Sequence, residues 1–123
     1  MSKLTCHCSG VEIEVNLPNP LSKVIRCNCS LCKRKGAIMT MVKPADFKII
    51  KGQELLKLYK YHSKIAKHFF CSNCGIYTHH NPRRNPDMYG INLACIEDVN
   101  TFQLENVEIN DGANHPLDKK KDG

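Results

Sequence analysis

Seven of the eight cysteines in the chain fall into three short clusters, and their spacing is the feature with the clearest chemical meaning. The clusters are Cys6-His7-Cys8, then Cys27-Asn28-Cys29-Ser30-Leu31-Cys32, then Cys71-Ser72-Asn73-Cys74-Gly75; Cys95 stands alone. Cysteines this close in sequence seldom bridge to each other, but they suit neighbouring ligand positions on one tetrahedral metal ion, with the thiolate as ligand. The third cluster has the form of a zinc knuckle: two cysteines span a tight turn, and Gly75 permits a backbone conformation that a side chain would resist. A closed structural zinc takes four ligands, so Cys71 and Cys74 need a second pair. Cys6 and Cys8 complement them, because residues i and i+2 of an extended segment point to one side. Cys27, Cys29 and Cys32 are then left as three ligands with one open position, the pattern of a catalytic zinc. Two other partitions remain open at this level. A single zinc could use four of the seven, or the triad could recruit His7 or Cys95 and close as a second structural centre.

These clusters must be positioned by a small fold. At 123 residues the chain is long enough for one domain, and its 41% hydrophobic and 24% charged composition is that of a globular protein. Residues 11–17 alternate apolar and polar, the signature of a half-buried strand. Further strands are expected at 23–26, 37–42, 47–51, 55–61, 65–70, 76–79, 89–94 and 107–109, separated by turn residues such as Gly36, Pro44, Gly52 and Gly75. Short helical turns are expected after Cys32 and across 98–102. In this layout Cys95 sits in an apolar strand as a core thiol, and the knuckle lies at a hairpin tip. His79 and His80 lack metal-ligand spacing and are expected to be satisfied within the fold or exposed. Nothing in the sequence brings His62, His68, His79, His80 or His115 to the triad. The domain is expected to span residues 1–116, with a charged tail at 117–123.

No apolar run approaches the ~20 residues of a membrane helix, and no secretory leader is visible. With disulfides disfavoured on these grounds, the expected location is cytoplasmic. The net charge is +6, with basic runs at Lys33-Arg34-Lys35, Arg83-Arg84 and Lys119-Lys120-Lys121. This suits an anionic small molecule, or otherwise a solvated face. Aromatic residues make up only 7% and are not interleaved with the basic ones, which argues against a single-strand nucleic-acid platform.

The order C-x-C, C-x-C-x-x-C, C-x-x-C-G resembles the glutathione-dependent formaldehyde-activating enzyme (Gfa) family, also called the centromere-protein-V group. Supporting matches are Cys6-His7-Cys8-Ser9-Gly10, the Gly90-Ile91-Asn92-Leu93-Ala94-Cys95 segment and the closing Asp111-Gly112-Ala113-Asn114-His115-Pro116, so the resemblance runs over about residues 5–116. It implies a mainly β fold, the Mss4-like β-tent of short antiparallel sheets pinned by zinc. It also implies two zinc ions per chain: a structural one on Cys6, Cys8, Cys71 and Cys74, and a catalytic one on Cys27, Cys29 and Cys32. The activity implied is that of a carbon–sulfur lyase acting on a small thiol, joining glutathione and formaldehyde as S-(hydroxymethyl)glutathione. Lys33, Arg34 and Lys35 could offset the net −1 of three thiolates on one zinc and meet glutathione carboxylates. The alternative function is a non-catalytic zinc module for protein or nucleic acid.

Overall fold

Val11, Ile13 and Val15 are fully buried, while Glu12 and Glu14 between them stay half-exposed, so the alternation read from the sequence is that of a real strand. The structure, a computed structural model, describes residues 1–18, 21, 23–60 and 66–114. Within these the chain forms β1 (Ser2–Thr5), β2 (Glu12–Val15), β3 (Ile25–Cys27), α1 (Ser30–Lys35), β4 (Met39–Val42), β5 (Phe47–Lys51), β6 (Leu56–Tyr59), β7 (Lys67–Cys71), β8 (Tyr77–Asn81), β9 (Tyr89–Asn92) and β10 (Glu108–Asn110). The protein is mainly β. Among the described residues there are two sheets, ordered β1-β2-β5 and β10-β3-β4-β9-β8-β7-β6. All pairings are antiparallel except β10 with β3, which is parallel.

The apolar faces of the sheets meet in one core. Leu4, Ile13 and Val15 of the smaller sheet and Val11 just before β2 pack in one cluster with Val42, Ile91, Leu93 and Ile96, and Leu4 makes an isolated bridge to Ile96. Phe47 of β5 stacks flat on Tyr89 of β9, with ring centroids 3.8 Å apart and 2° between the planes. Both rings remain partly exposed, and an aromatic pair of this kind contributes about 0.5–1.5 kcal/mol beyond its area burial.

Several sequence expectations change. β1 was not foreseen, because four residues beside a cysteine motif carry too short a pattern; it forms as the partner of β2. The helical turn expected after Cys32 begins earlier, at Ser30, because Cys29 caps it. Cys95 does not lie in a strand: β9 ends at Asn92, whose side-chain oxygen accepts from the Ala94 amide at 3.2 Å and starts a 3-10 turn over Leu93–Cys95. That leaves Cys95 half-buried, packed against the core from a turn instead of a strand. The turn expected at 98–102 is a 3-10 turn at Thr101–Gln103. Residues 61 and 65, His62, His115, the lysine run at 119–121 and the tail at 117–123 lie outside the described residues. No helix among the described residues is long and apolar enough to cross a membrane.

Candidate metal centres

Cys6 and Cys8 occupy the tip between β1 and β2, and Cys71 and Cys74 the tip between β7 and β8; the two tips, from different sheets, meet. Their four sulfurs lie within 4.8 Å of one another, with Cys6 to Cys8 at 3.6 Å and Cys8 to Cys71 at 3.8 Å. Four sulfurs each about 2.3 Å from a central zinc would be spaced about 3.8 Å along the tetrahedron edges, whereas a disulfide is about 2.05 Å. The donor set therefore fits zinc. Backbone amides point at the sulfurs: Val11 donates to Cys6 at 3.3 Å, and the Cys74 and Asn73 amides to Cys71. At the exposed Cys8, the Asn73 side chain and the Gly10 amide hold the thiol down at about 6. Burial pushes Cys71 up to about 11, so Cys8 and Cys71 differ sharply in how readily they ionise. Gly75 follows with φ +78°, the conformation that motivated its reading as a knuckle glycine.

The second group is Cys27, Cys29 and Cys32, with sulfurs again within 4.8 Å of one another. Cys27 ends β3, Cys29 caps α1 with its sulfur accepting from the Cys32 amide at 3.3 Å, and Cys32 is buried in the helix. The Cys27 and Cys29 side chains, followed by burial, push the Cys32 thiol far up. Three crowded sulfurs of this kind ionise together only around a cation, and a coordinating thiol is deprotonated outright. Three thiolates with one side open suit zinc. Among the described residues, neither group includes His7, which is exposed, or Cys95.

A segment distant in sequence braces this triad. β10 runs parallel to β3 and leads into a 3-10 turn at Gly112–Asn114. Asn28, between two of the cysteines, donates to Asp111 Oδ1 at 3.1 Å and accepts from the Ala113 amide at 2.9 Å. Gly112 lies so close that a Cβ there would sit 2.4 Å from Cys27 Sγ and 2.9 Å from Cys29 Cβ.

A cavity of about 320 Å³ opens on the triad, within the size range of small-molecule sites. Lys23, Arg83 and Arg84 line it with positive charge, and His68 and His80 form part of its wall. Of the run at 33–35, Lys33 borders a smaller hollow of about 190 Å³ beside Cys27 and Cys32, while Arg34 folds back onto the Ser30 carbonyl at 2.7 Å. Lys35 turns toward β7 instead: its Nζ lies 2.8 Å from His68 Nδ1 and 3.6 Å above the Tyr77 ring centroid. Burial pulls the Lys35 ammonium down to about 8 against the pull of the Cys32, Cys29 and Cys27 thiolates. Burial, then Lys35, holds His68 down at about 4 and His80 at about 3, so both rings are neutral near pH 7.

The histidines reach the cavity through sheet register. His68 pairs directly with His80 across β7 and β8, and their rings stack at 5.4 Å. Next to them the register shifts: Phe69 faces His79 but Phe70 faces Tyr77, which leaves Thr78 as an extra residue in β8. Such a bulge re-aims side chains. It puts Tyr77 and His80 together, hydroxyl to Nδ1 at 2.6 Å, and turns His79 to the other face against Phe47 and Phe69.

The sequence pattern of the family described as "Glutathione-dependent formaldehyde-activating enzyme" matches residues 1–111. The chain belongs to this family. The crystal structure of a Rhodobacter sphaeroides protein is also similar, with 47% identity, a TM-score of 0.83, and coverage of 88% of this chain and 99% of that one. Membership in the formaldehyde-activating family agrees with the resemblance carried by the cysteine order. The histidine wall, the Lys35 contact and the Asp111–Asn114 brace carry no such motif in the sequence. Asp111-Gly112-Ala113-Asn114 was visible as a match but without a role, and only an adjacent glycine and asparagine hinted at a close approach.

Proposed function

We propose that this chain is a zinc-dependent carbon–sulfur lyase-type enzyme that joins glutathione and formaldehyde as S-(hydroxymethyl)glutathione, or runs that reaction in reverse. The observation that carries the reading is the cysteine triad opening on a cavity with basic residues on its wall. In this reading Cys6, Cys8, Cys71 and Cys74 hold a structural zinc, and Cys27, Cys29 and Cys32 are the catalytic set holding the second. That zinc, when bound, supplies Lewis-acid chemistry that keeps a substrate thiol ionised. The chain's own residues do the rest. Lys23, Arg83 and Arg84 attract the carboxylates of glutathione and orient its sulfur inward. The half-buried Lys35 places positive charge close to the sulfurs. Asn28 and Asp111 hold the triad loop in one geometry. Thiolate ligands of this kind last in a reducing compartment, so the cytoplasm is the proposed location, with residues 1–116 as the working domain and 117–123 as a tail.

Native mass spectrometry of the purified protein, with and without glutathione, tests this. The expected result is two zinc ions per chain, with glutathione adding to the complex or displacing one zinc. Two zinc ions indifferent to glutathione would overturn the substrate assignment, and a Cys32→Ser variant that still holds two zinc ions would overturn the metal-holding role of the triad.

A further inference from the structure

Joining a thiol to formaldehyde leaves a proton to be accounted for. The C–S bond forms, the carbonyl π pair moves onto oxygen, and that oxygen takes up one proton while the thiol gives one up. The proposed function places the sulfur at the triad but names no group for the oxygen. The structure offers one in the wall of the same cavity, His68. Lys35 Nζ sits 2.8 Å from His68 Nδ1, and a lysine ammonium can only donate. Nδ1 must therefore be the accepting nitrogen, and the ring proton of neutral His68 is on Nε2. Lys35 is not among the residues that line the cavity, whereas His68 is, so the lysine stands behind the ring. The Tyr77 ring beneath Nζ, at 3.6 Å, holds the ammonium in place by cation–π attraction. His68 in turn is fixed by stacking on His80, whose Nδ1 is tied to the Tyr77 hydroxyl at 2.6 Å. Each ring is thus locked from behind, and the β8 bulge exists where it must to bring Tyr77 and His80 to one side.

We infer that His68 is the catalytic proton donor to the aldehyde oxygen, with Lys35 as the positioning residue that fixes its tautomer and refills it. As the oxygen takes the Nε2 proton, Nδ1 takes one from Lys35, and the proton released by the thiol restores the lysine. No proton is created or lost and no oxidant is needed. Run backward, the same arrangement removes the hydroxyl proton of the adduct as the C–S bond breaks. The inference rests on the thiol–aldehyde reading of the cavity, but its first test does not.

That test reads the His68 tautomer by long-range 1H–15N spectra of the zinc-loaded protein, labelled at histidine. The wild type should show Nδ1 unprotonated and Nε2 protonated. Lys35→Met should lose this fixed tautomer. Lys35→Arg should keep it, since guanidinium also only donates, but should not refill the ring because arginine does not give up its proton. Turnover is then followed by exchange spectroscopy between glutathione and its hydroxymethyl adduct, corrected for the uncatalysed rate. Both variants should keep two zinc ions and a KM for glutathione within about threefold, and lose about 100-fold or more in kcat. A wild-type His68 protonated on Nδ1, or a Lys35→Met variant with undiminished kcat, would overturn the inference. A wild type that shows the expected tautomer yet never turns over glutathione and formaldehyde would overturn the proposed function instead, while supporting the His68–Lys35 geometry.

Discussion

Replacing Gly112 by alanine should weaken one metal centre and spare the other. The added methyl would sit 2.4 Å from Cys27 Sγ and 2.9 Å from Cys29 Cβ. Carbon and sulfur atoms not bonded to each other rest about 3.5–4 Å apart, so at least one of the two cysteines must move by roughly 1 Å. Zinc–ligand distances tolerate only about 0.2 Å. Cys27 cannot simply swing aside, because it ends β3 and its sulfur takes a hydrogen bond from Asn110 at 3.5 Å. Cys29 is held as the helix cap. Perturbing groups that support metal ligands typically costs 10–100-fold in affinity, and the direct clash here places Gly112→Ala at the upper end, about 2.7 kcal/mol. Competition against a chromophoric chelator would read this as two classes of zinc whose affinities separate in the variant, with the weaker class abolished by an added Cys32→Ser. If the variant holds both zinc ions with wild-type affinity, the brace formed by residues 111–114 does not bear on the triad and the placement of Gly112 is misread.

Two further outcomes follow from the same geometry. Cys74→Ser should unfold the protein or lower its stability by several kcal/mol, whereas Cys32→Ser should keep the fold and lose a single zinc; circular dichroism melts with native mass separate the two. Stability should also fall as the pH drops from about 6.5 to about 4, because the unfolded chain protonates its histidines in that window while buried His79, held down at about 4 by burial, does not. His79 alone accounts for about 2 kcal/mol at pH 5, so a His79→Phe variant should show a flatter pH dependence in urea melts, and an unchanged slope would contradict the assigned burial effect.

What could be read from the sequence was local. The closed group of Cys6, Cys8, Cys71 and Cys74 and the triad of Cys27, Cys29 and Cys32 were partitioned by spacing, since ligands of one ion come in short-range pairs. The strand at 47–51 was found to the residue because its turn signals, Pro44 and Gly52, sit at both ends. What was hidden depends on register between strands. His68 meets His80 only because β7 and β8 pair in one alignment, and Tyr77 joins them only because Thr78 is an extra residue there. Alternation in the sequence would have set Tyr77 and His80 on opposite faces. The pairing of β10 with β3 is similarly invisible, since it joins Asn110 to Cys27 across most of the chain. Cys95 was misplaced because an apolar run looks like strand until an asparagine side chain caps a turn.

The meeting of the two hairpin tips has a consequence for the polymer as a whole. Cys8 and Cys71 are 63 positions apart, and an ion held between them is a cross-link that closes the intervening loop. By chain statistics, closing a loop of that length restricts the denatured ensemble by about 4 kcal/mol, as much as a disulfide would, yet without an oxidant and reversibly. A staple of that strength lies outside the cavity that opens on the triad. The cavity can therefore keep two histidines and three cysteines in its walls and a half-buried lysine behind them, groups that make poor packing material.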